Sequence, residues 1–106
     1  MNVVIFGATG TVGQHLVKEL TAAGHNVRAF VRDPARLKHR TGNLNVFTGD
    51  VLDVEAVSSA IKGQDAVLCV LGAGARGNVR AAGTANIIHA MRQHGVSRFI
   101  CQSTLG

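Results

Sequence analysis

Gly7, Gly10 and Gly13 stand three residues apart, directly after the apolar run Val3-Val4-Ile5-Phe6. Glycines at this spacing let the backbone approach an anion closely, because no Cβ stands in the way. Behind them Val12, Leu16, Val17 and Leu20 recur at helical spacing. The order is strand, glycine-rich turn, helix. It aims the first N–H groups of the helix, and the positive end of its dipole, at a phosphate. Gly13, one turn in, would let the helix lie close against the strand. The spacing is Gly-x-x-Gly-x-x-Gly, not the Gly-x-Gly-x-x-Gly of the standard dinucleotide fingerprint, and a glycine triplet alone would fit many turns. Its place between a strand and a helix is what marks it as a nucleotide-binding turn.

A second set of residues suited to anions is basic. Arg28, Arg32, Arg36, Lys38 and Arg40 fall in and just after the second apolar run and supply much of the net charge of +5. No aromatic residues interleave with them and no nucleic-acid motif is present, so the charge fits a small anionic ligand rather than an extended polyanion. The five histidines show no ligand or base spacing and read as surface or helix-packing residues. Cys69 and Cys101 fall inside expected buried strands and read as small core hydrophobes in a reducing compartment, without a disulfide or metal site. Asp33 and Asp53 read as helix caps.

These residues need elements to position them. The first helix is predicted over Thr11–Ala23, stopped by Gly24, and the second strand over Asn26–Val31. Asp33-Pro34 predicts a short helix over Pro34–His39, and Gly42-Asn43 a turn into a third strand, Leu44–Thr48. Asp53 should cap a helix with Val54, Val57, Ala60 and Ile61 on one face, ended by Gly63. The continuous apolar run Ala66–Leu71 predicts a fourth strand. Residues 72–78 read as a loop. A helix is expected over Arg80–Gln93, with Ala82, Asn86, Ile87, Ala90 and Met91 inward and Gly95 as its stop. The fifth strand is predicted over Val96–Gln102.

At 106 residues the chain is one domain at most. All four of its aromatic residues are Phe, so the core is built from Val, Ile, Leu and Ala, a mix suited to a parallel sheet covered by helices. Strands alternating with crossovers predict an α/β, Rossmann-type, doubly wound parallel sheet in the order 3-2-1-4-5. The ligand is expected at the carboxyl ends of strands 1 and 4, where the strand order reverses. No apolar stretch approaches a membrane span and no signal-peptide layout opens the chain, so a cytoplasmic protein is expected.

Five motifs in this order, Gly-Ala-Thr-Gly-Thr-Val-Gly (7–13), Val-Arg-Asp-Pro-Ala-Arg-Leu (31–37), Gly-Asp-Val-Leu-Asp (49–53), Asp-Ala-Val-Leu-Cys-Val-Leu-Gly (65–72) and Gly-Val-Ser-Arg-Phe-Ile (95–100), resemble atypical short-chain dehydrogenase/reductases. Within them the biliverdin-IXβ/flavin reductases and the NmrA-like NAD(P)-binding proteins look most similar. The resemblance implies that Gly7, Thr9, Gly10, Thr11 and Val12 wrap a pyrophosphate. Arg32 ends strand 2, where NAD-preferring proteins of this kind place an acidic residue. With Arg36 it offers forked donors to a 2′-phosphate, so NADP(H) is the expected cofactor and NAD(H) the second choice. Asp50 and Val51 match adenine-edge contacts. Leu71 and Gly72 would pass under the nicotinamide ribose, with Ser103 and Thr104 beside it. No catalytic residue is assigned, Ser103 and Thr104 being the candidates by position. The loop after Gly72 is shorter than in the biliverdin-IXβ reductases, so Arg76 and Arg80 are assigned no position of the family.

The Tyr-x-x-x-Lys pair usual in short-chain dehydrogenases is absent, since the chain contains no tyrosine. The flavin and biliverdin reductases manage without it. The expectation is therefore an NAD(P)-binding domain over 1–106, truncated after strand 5 and lacking the substrate-binding part. Its parent is read as an NADPH-dependent oxidoreductase acting on a flavin, a tetrapyrrole or a small carbonyl compound. The alternative is an NmrA-like redox sensor that binds dinucleotide without consuming it, and a natural short protein is the alternative to a fragment. The expected partners are the dinucleotide and a small-molecule substrate, with neither nucleic acid nor membrane. Strands 4 and 5 are expected to lack cover on one face and to promote self-association there.

Overall fold

The computed structural model describes residues 1–8, 10–37, 42–70 and 77–101, without the side chains of Thr11, 77–80 and Cys101. Five strands, β1 (Asn2–Phe6), β2 (Asn26–Val31), β3 (Leu44–Thr48), β4 (Ala66–Cys69) and β5 (Arg98–Cys101), form one sheet in the order β3-β2-β1-β4-β5. Every pairing is parallel. The sequence predicts this order. Its cause is the crossover rule, by which each strand-to-strand connection passes over the sheet with one hand.

Alternation along the strands divides the core in two. Val3 and Ile5 of β1, with Val27, Ala29, Ala66 and Leu68 on its neighbours, face α1 (Thr11–Ala22) through Val17. Val4 and Phe6, with Phe30, Val67 and Cys69, face α2 (Val54–Ile61) and α3 (Gly77–His94) through Val57, Ala60, Ile61, Ile87, Ala90 and Met91. The central strand is therefore buried on both sides from Val3 to Phe6, as its unbroken apolar run requires. α1, α2 and α3 are followed by Gly24, Gly63 and Gly95, all at positive φ. Asp53 caps α2 by accepting from the N–H groups of Glu55 and Ala56, and Asp33 accepts from that of Ala35 at 3.1 Å.

Several boundaries differ from the sequence reading, each for a packing reason. The helix expected over Pro34–His39 is a single 3-10 turn, Pro34–Arg36. The chain then turns extended, and Leu37 is buried in the core beneath α1. Lys38 and His39 lie outside the described residues. Val54 is exposed rather than inward, because Val51, in the turn ahead of α2, is buried in that core. Ala82 is likewise exposed. The inward stripe of α3 is Gly83, Ile87, Ala90 and Met91, a strict 4-3-1 helical spacing that leaves Ala82 to one side. α3 begins at Gly77, inside the expected loop, since Gly and Asn are acceptable in a first helical turn. β5 begins at Arg98, because the Val96 N–H closes the end of α3 on the Met91 carbonyl at 2.9 Å.

Arg28 does not belong with the other basic residues. Its Nη1 donates to the Ala60 carbonyl at 2.9 Å, at the end of α2, and its guanidinium lies 5.8 Å from the centroid of the Phe47 ring. It serves the fold. Over strands 4 and 5 the face expected to be bare is described only in part, without the side chain of Cys101. Ala66, Leu68 and Val70 are all buried, and the exposed apolar residue is Ile100 of β5, which is 61% exposed. Cys69 is buried as expected. No helix among the described residues is long and apolar enough to cross a membrane.

Candidate dinucleotide-binding site

At the carboxyl end of β1 the chain enters Gly7 at φ 89°, a conformation that side chains other than glycine rarely adopt. The Gly10 N–H then bonds the Gly7 carbonyl at 3.3 Å, and the Gln14 N–H bonds the Gly10 carbonyl at 2.9 Å to open α1. Gly10 is the N-cap and brings no side chain to it. The N–H groups of the first turn have no acceptor within the helix, and the dipole makes this end positive. Such an end is a ready anion site.

Gly13 shows why the helix stands where it does. It is buried, and a Cβ built on it would strike the Gly7 carbonyl oxygen and sit 2.8 Å from the Ala8 Cα. The first turn of α1 thus lies directly on the backbone of the glycine turn. Val12, half-buried, packs into the core below.

The strand ends form a row beside this turn. The Gly49 N–H bonds the Val31 carbonyl at 2.9 Å, and the Val70 N–H bonds the Phe6 carbonyl at 2.8 Å, so β3 is tied to β2 and β4 to β1 at their carboxyl ends. Arg32 follows Val31 and is exposed, as is Arg36 at the end of the 3-10 turn. Asp33 between them is engaged as the cap of that turn. Both arginines are therefore exposed just beyond the carboxyl end of β2.

Asp50 and Val51 follow β3 in a turn held tightly. The Asp53 N–H bonds the Asp50 carbonyl, and the Leu52 N–H bonds Asp50 Oδ1, both at 2.9 Å. Asn86 of α3 donates from Nδ2 to the Val51 carbonyl at 3.1 Å. Sequence reasoning places Asn86 on the inner face of α3 but gives it no role. The available signal is an amide among apolar positions.

The structure therefore brings Gly7, Gly10, Thr11 and Val12 to one end of the sheet with Arg32, Arg36, Asp50 and Val51. Thr9, Leu71, Gly72, Ser103 and Thr104 lie outside the described residues. The histidines that are described play the surface and packing parts expected of them. His15 pairs with Glu19 at 3.1 Å on the exposed side of α1, and His94 Nε2 meets Ser58 Oγ at 2.8 Å between α3 and α2.

An NAD(P)H-binding family model matches residues 7–106. The chain belongs to that family. It is 36% identical, over 97% of its length, to a 3-diazoavenalumate denitrifying reductase from a Streptomyces species, of which it covers 38%. It is 35% identical, over 98% of its length, to a 2-alkyl-3-oxoalkanoate reductase from Stenotrophomonas maltophilia, of which it covers 33%. Among solved structures, a Rossmann-fold NAD(P)-binding family protein from Shigella flexneri superposes with a TM-score of 0.79 at 31% identity, over 92% of this chain and 49% of that one. An oxidoreductase from Lactococcus lactis superposes with a TM-score of 0.85 at 28% identity, over 99% of this chain and 49% of that one. The chain thus spans between a third and a half of the length of these relatives. The family match starts at Gly7, the first residue of the glycine turn.

The contact between Gly13 and that turn yields a prediction. Gly13→Ala forces the first turn of α1 away from Gly7 and Ala8. It should destabilise the protein by about 1–3 kcal/mol, as overpacking does, and weaken dinucleotide binding in the fraction that remains folded. Chemical denaturation and calorimetric titration with NADPH check the two effects separately. Unchanged stability and affinity would show that the helix can lift without consequence.

Proposed function

We propose that residues 1–106 form the NADP(H)-binding part of an NADPH-dependent oxidoreductase, and that further chain supplies its substrate pocket. Family membership supports the dinucleotide, the longer reductases among its relatives support the reaction class, and the exposed pair Arg32 and Arg36 supports the phosphorylated cofactor. That pair is the observation that carries the choice. It follows β2, where a cofactor's adenosine ribose meets this fold, and Asp33 between the two arginines caps the 3-10 turn through Oδ1. A planar guanidinium suits a phosphate through paired N–H donors.

In this reading Gly7, Thr9, Gly10, Thr11 and Val12 hold the pyrophosphate with backbone N–H groups. The Asp50 carboxylate accepts from the exocyclic amine of adenine while the Val51 N–H donates to its ring nitrogen. Leu71 and Gly72 lie under the nicotinamide ribose, with Ser103 and Thr104 at its side as the candidates for contact with the reacting atoms. The cofactor, when bound, supplies the hydride, and the protein supplies position, electrostatics and exclusion of water. The acceptor, a flavin, a tetrapyrrole or a small carbonyl compound, gains the hydride and a proton while NADPH becomes NADP⁺. The setting is cytoplasmic, where NADPH is available.

The reaction is tested by following NADPH oxidation with a panel of flavins, quinones, biliverdin and small ketones, using the full-length gene product. Turnover with at least one acceptor is expected. Tight NADPH binding without any turnover would instead make the protein a dinucleotide sensor.

Cofactor choice has its own test. Replacing Arg32 and Arg36 together by alanine should weaken NADP(H) binding by ~2–4 kcal/mol, the sum of two charged hydrogen-bonding contacts, and leave NAD(H) nearly untouched. Equal losses for both nucleotides would assign the arginines to general charge or to folding.

The outer strand gives a third. β5 ends the sheet, and its Ile100, in register with buried Leu68, is exposed. An open edge with an apolar side chain favours pairing with a second copy of the 106-residue chain. Sedimentation at micromolar concentration should show association that Ile100→Lys reduces, and a monomer at all concentrations would refute it.

A further inference from the structure

The turn at Asp50 and Val51 is held by a residue that no motif marks. Asn86 lies on α3 between the buried residues Gly83 and Ile87, and is itself half-buried. A partly buried amide costs free energy unless its polar atoms are paired. Nδ2 of Asn86 is paired with the Val51 carbonyl, 35 residues away in sequence.

The partner atom matters. The Val51 carbonyl and the Leu52 N–H belong to one peptide plane, which is rigid. That plane is bonded at both ends. Its oxygen accepts from Asn86 at 3.1 Å, and its N–H donates to Asp50 Oδ1 at 2.9 Å. Fixing the plane therefore fixes the Asp50 carboxylate. The other bonds of this turn are local or run to β2, namely Asp53 N–H to the Asp50 carbonyl and Gly49 N–H to the Val31 carbonyl. Gly49 is also wedged against the Phe30 ring, where a Cβ would stand 2.9 Å from the ring edge. These contacts anchor the entry to the turn. Among the described hydrogen bonds of this turn, the Asn86 amide is the one that ties it to α3.

We infer that Asn86 is a positioning residue for the adenine end of the dinucleotide: by holding the Val51–Leu52 peptide plane it orients the Asp50 carboxylate toward the base edge. The inference rests on the placement of adenine at Asp50 and Val51 proposed above. It adds that this placement is governed from α3, an element outside the nucleotide-binding motifs.

The test compares the wild-type protein with Asn86→Asp and Asn86→Ala. Aspartate keeps the size of the side chain and cannot donate from the same atom, whereas alanine also removes packing. Affinities are measured for 2′,5′-ADP, which carries the adenine, and for nicotinamide mononucleotide, which does not, well below each variant's Tm. Both variants should lose about three- to tenfold in 2′,5′-ADP affinity, the worth of one hydrogen bond, and stay within about twofold for the mononucleotide. Amide hydrogen exchange at Leu52 should quicken in both. A loss shared equally by the two probes, or folded variants with undiminished 2′,5′-ADP affinity, would overturn the inference and leave Asn86 a helix-packing residue. A wild-type protein that binds NADPH but not 2′,5′-ADP would refute the placement of adenine itself, and the role of Asn86 with it.

Discussion

The approach of α1 to the turn after β1 is the contact on which the rest of this structure depends. Gly13 leaves no room for a side chain between the helix and the Gly7–Ala8 backbone. That closeness sets the height of the helix over the sheet, and so the point at which its N-terminus opens. A helix lifted by the width of a methyl group would still be a helix. Its N–H groups would stand elsewhere, and the sheet's switch point, where β1 separates β2 from β4, would lose the positive end that faces it.

From that contact the two faces of the sheet take different work. Among the described residues α1 is the helix on the first face, and the buried side chain of Leu37 completes the core there. α2 and α3 share the second, with Phe6 and Phe30 between them and the strands, their ring centroids 4.8 Å apart. Because β1 is buried on both faces, neither layer can shift without disturbing the other. The carboxyl ends of the strands are thereby held in one row, and bonds from Gly49 and Val70 keep it aligned.

Most of this architecture was legible in the residues. The run Val3–Phe6 and the glycines behind it announce a buried parallel strand and a tight turn into a helix, and the alternation of apolar segments with caps announces the sheet order. What escaped was decided by tertiary packing. Pro34 and its cap predict a helix correctly at its start, but the gain from burying Leu37 ends it after one turn. Val54 has the right spacing for the core and loses its place to Val51, which no helical pattern could signal. Arg28 carries the same charge as Arg32, four residues on, and only the structure shows the first stacked near Phe47 and bonded to the end of α2. Asn86 was legible as an inward position. Its partner was not, because a bond across 35 residues leaves no local pattern. In each case the local rule was sound and a long-range contact outweighed it.

The residues of the candidate site also divide by how deeply they are built in. The glycine turn cannot change without moving α1, and the Asp50–Val51 turn is bonded to β2 and α3 and seats a buried side chain. Arg32 and Arg36 are exposed and contribute nothing to either core cluster. In the proposed reading, pyrophosphate recognition is bound up with folding, because backbone donors converge on an anion only where the backbone is fixed. In the same reading, discrimination between NADP(H) and NAD(H) would rest on these exposed side chains, which lie outside both core clusters. A charge change at those two positions alters an electrostatic preference at the surface and leaves the packed layers as they are. On that proposal, cofactor choice would vary independently of the packed scaffold. The Asp50–Val51 turn, proposed to meet the adenine, lies between these extremes, exposed at Asp50 and held from α3 by Asn86.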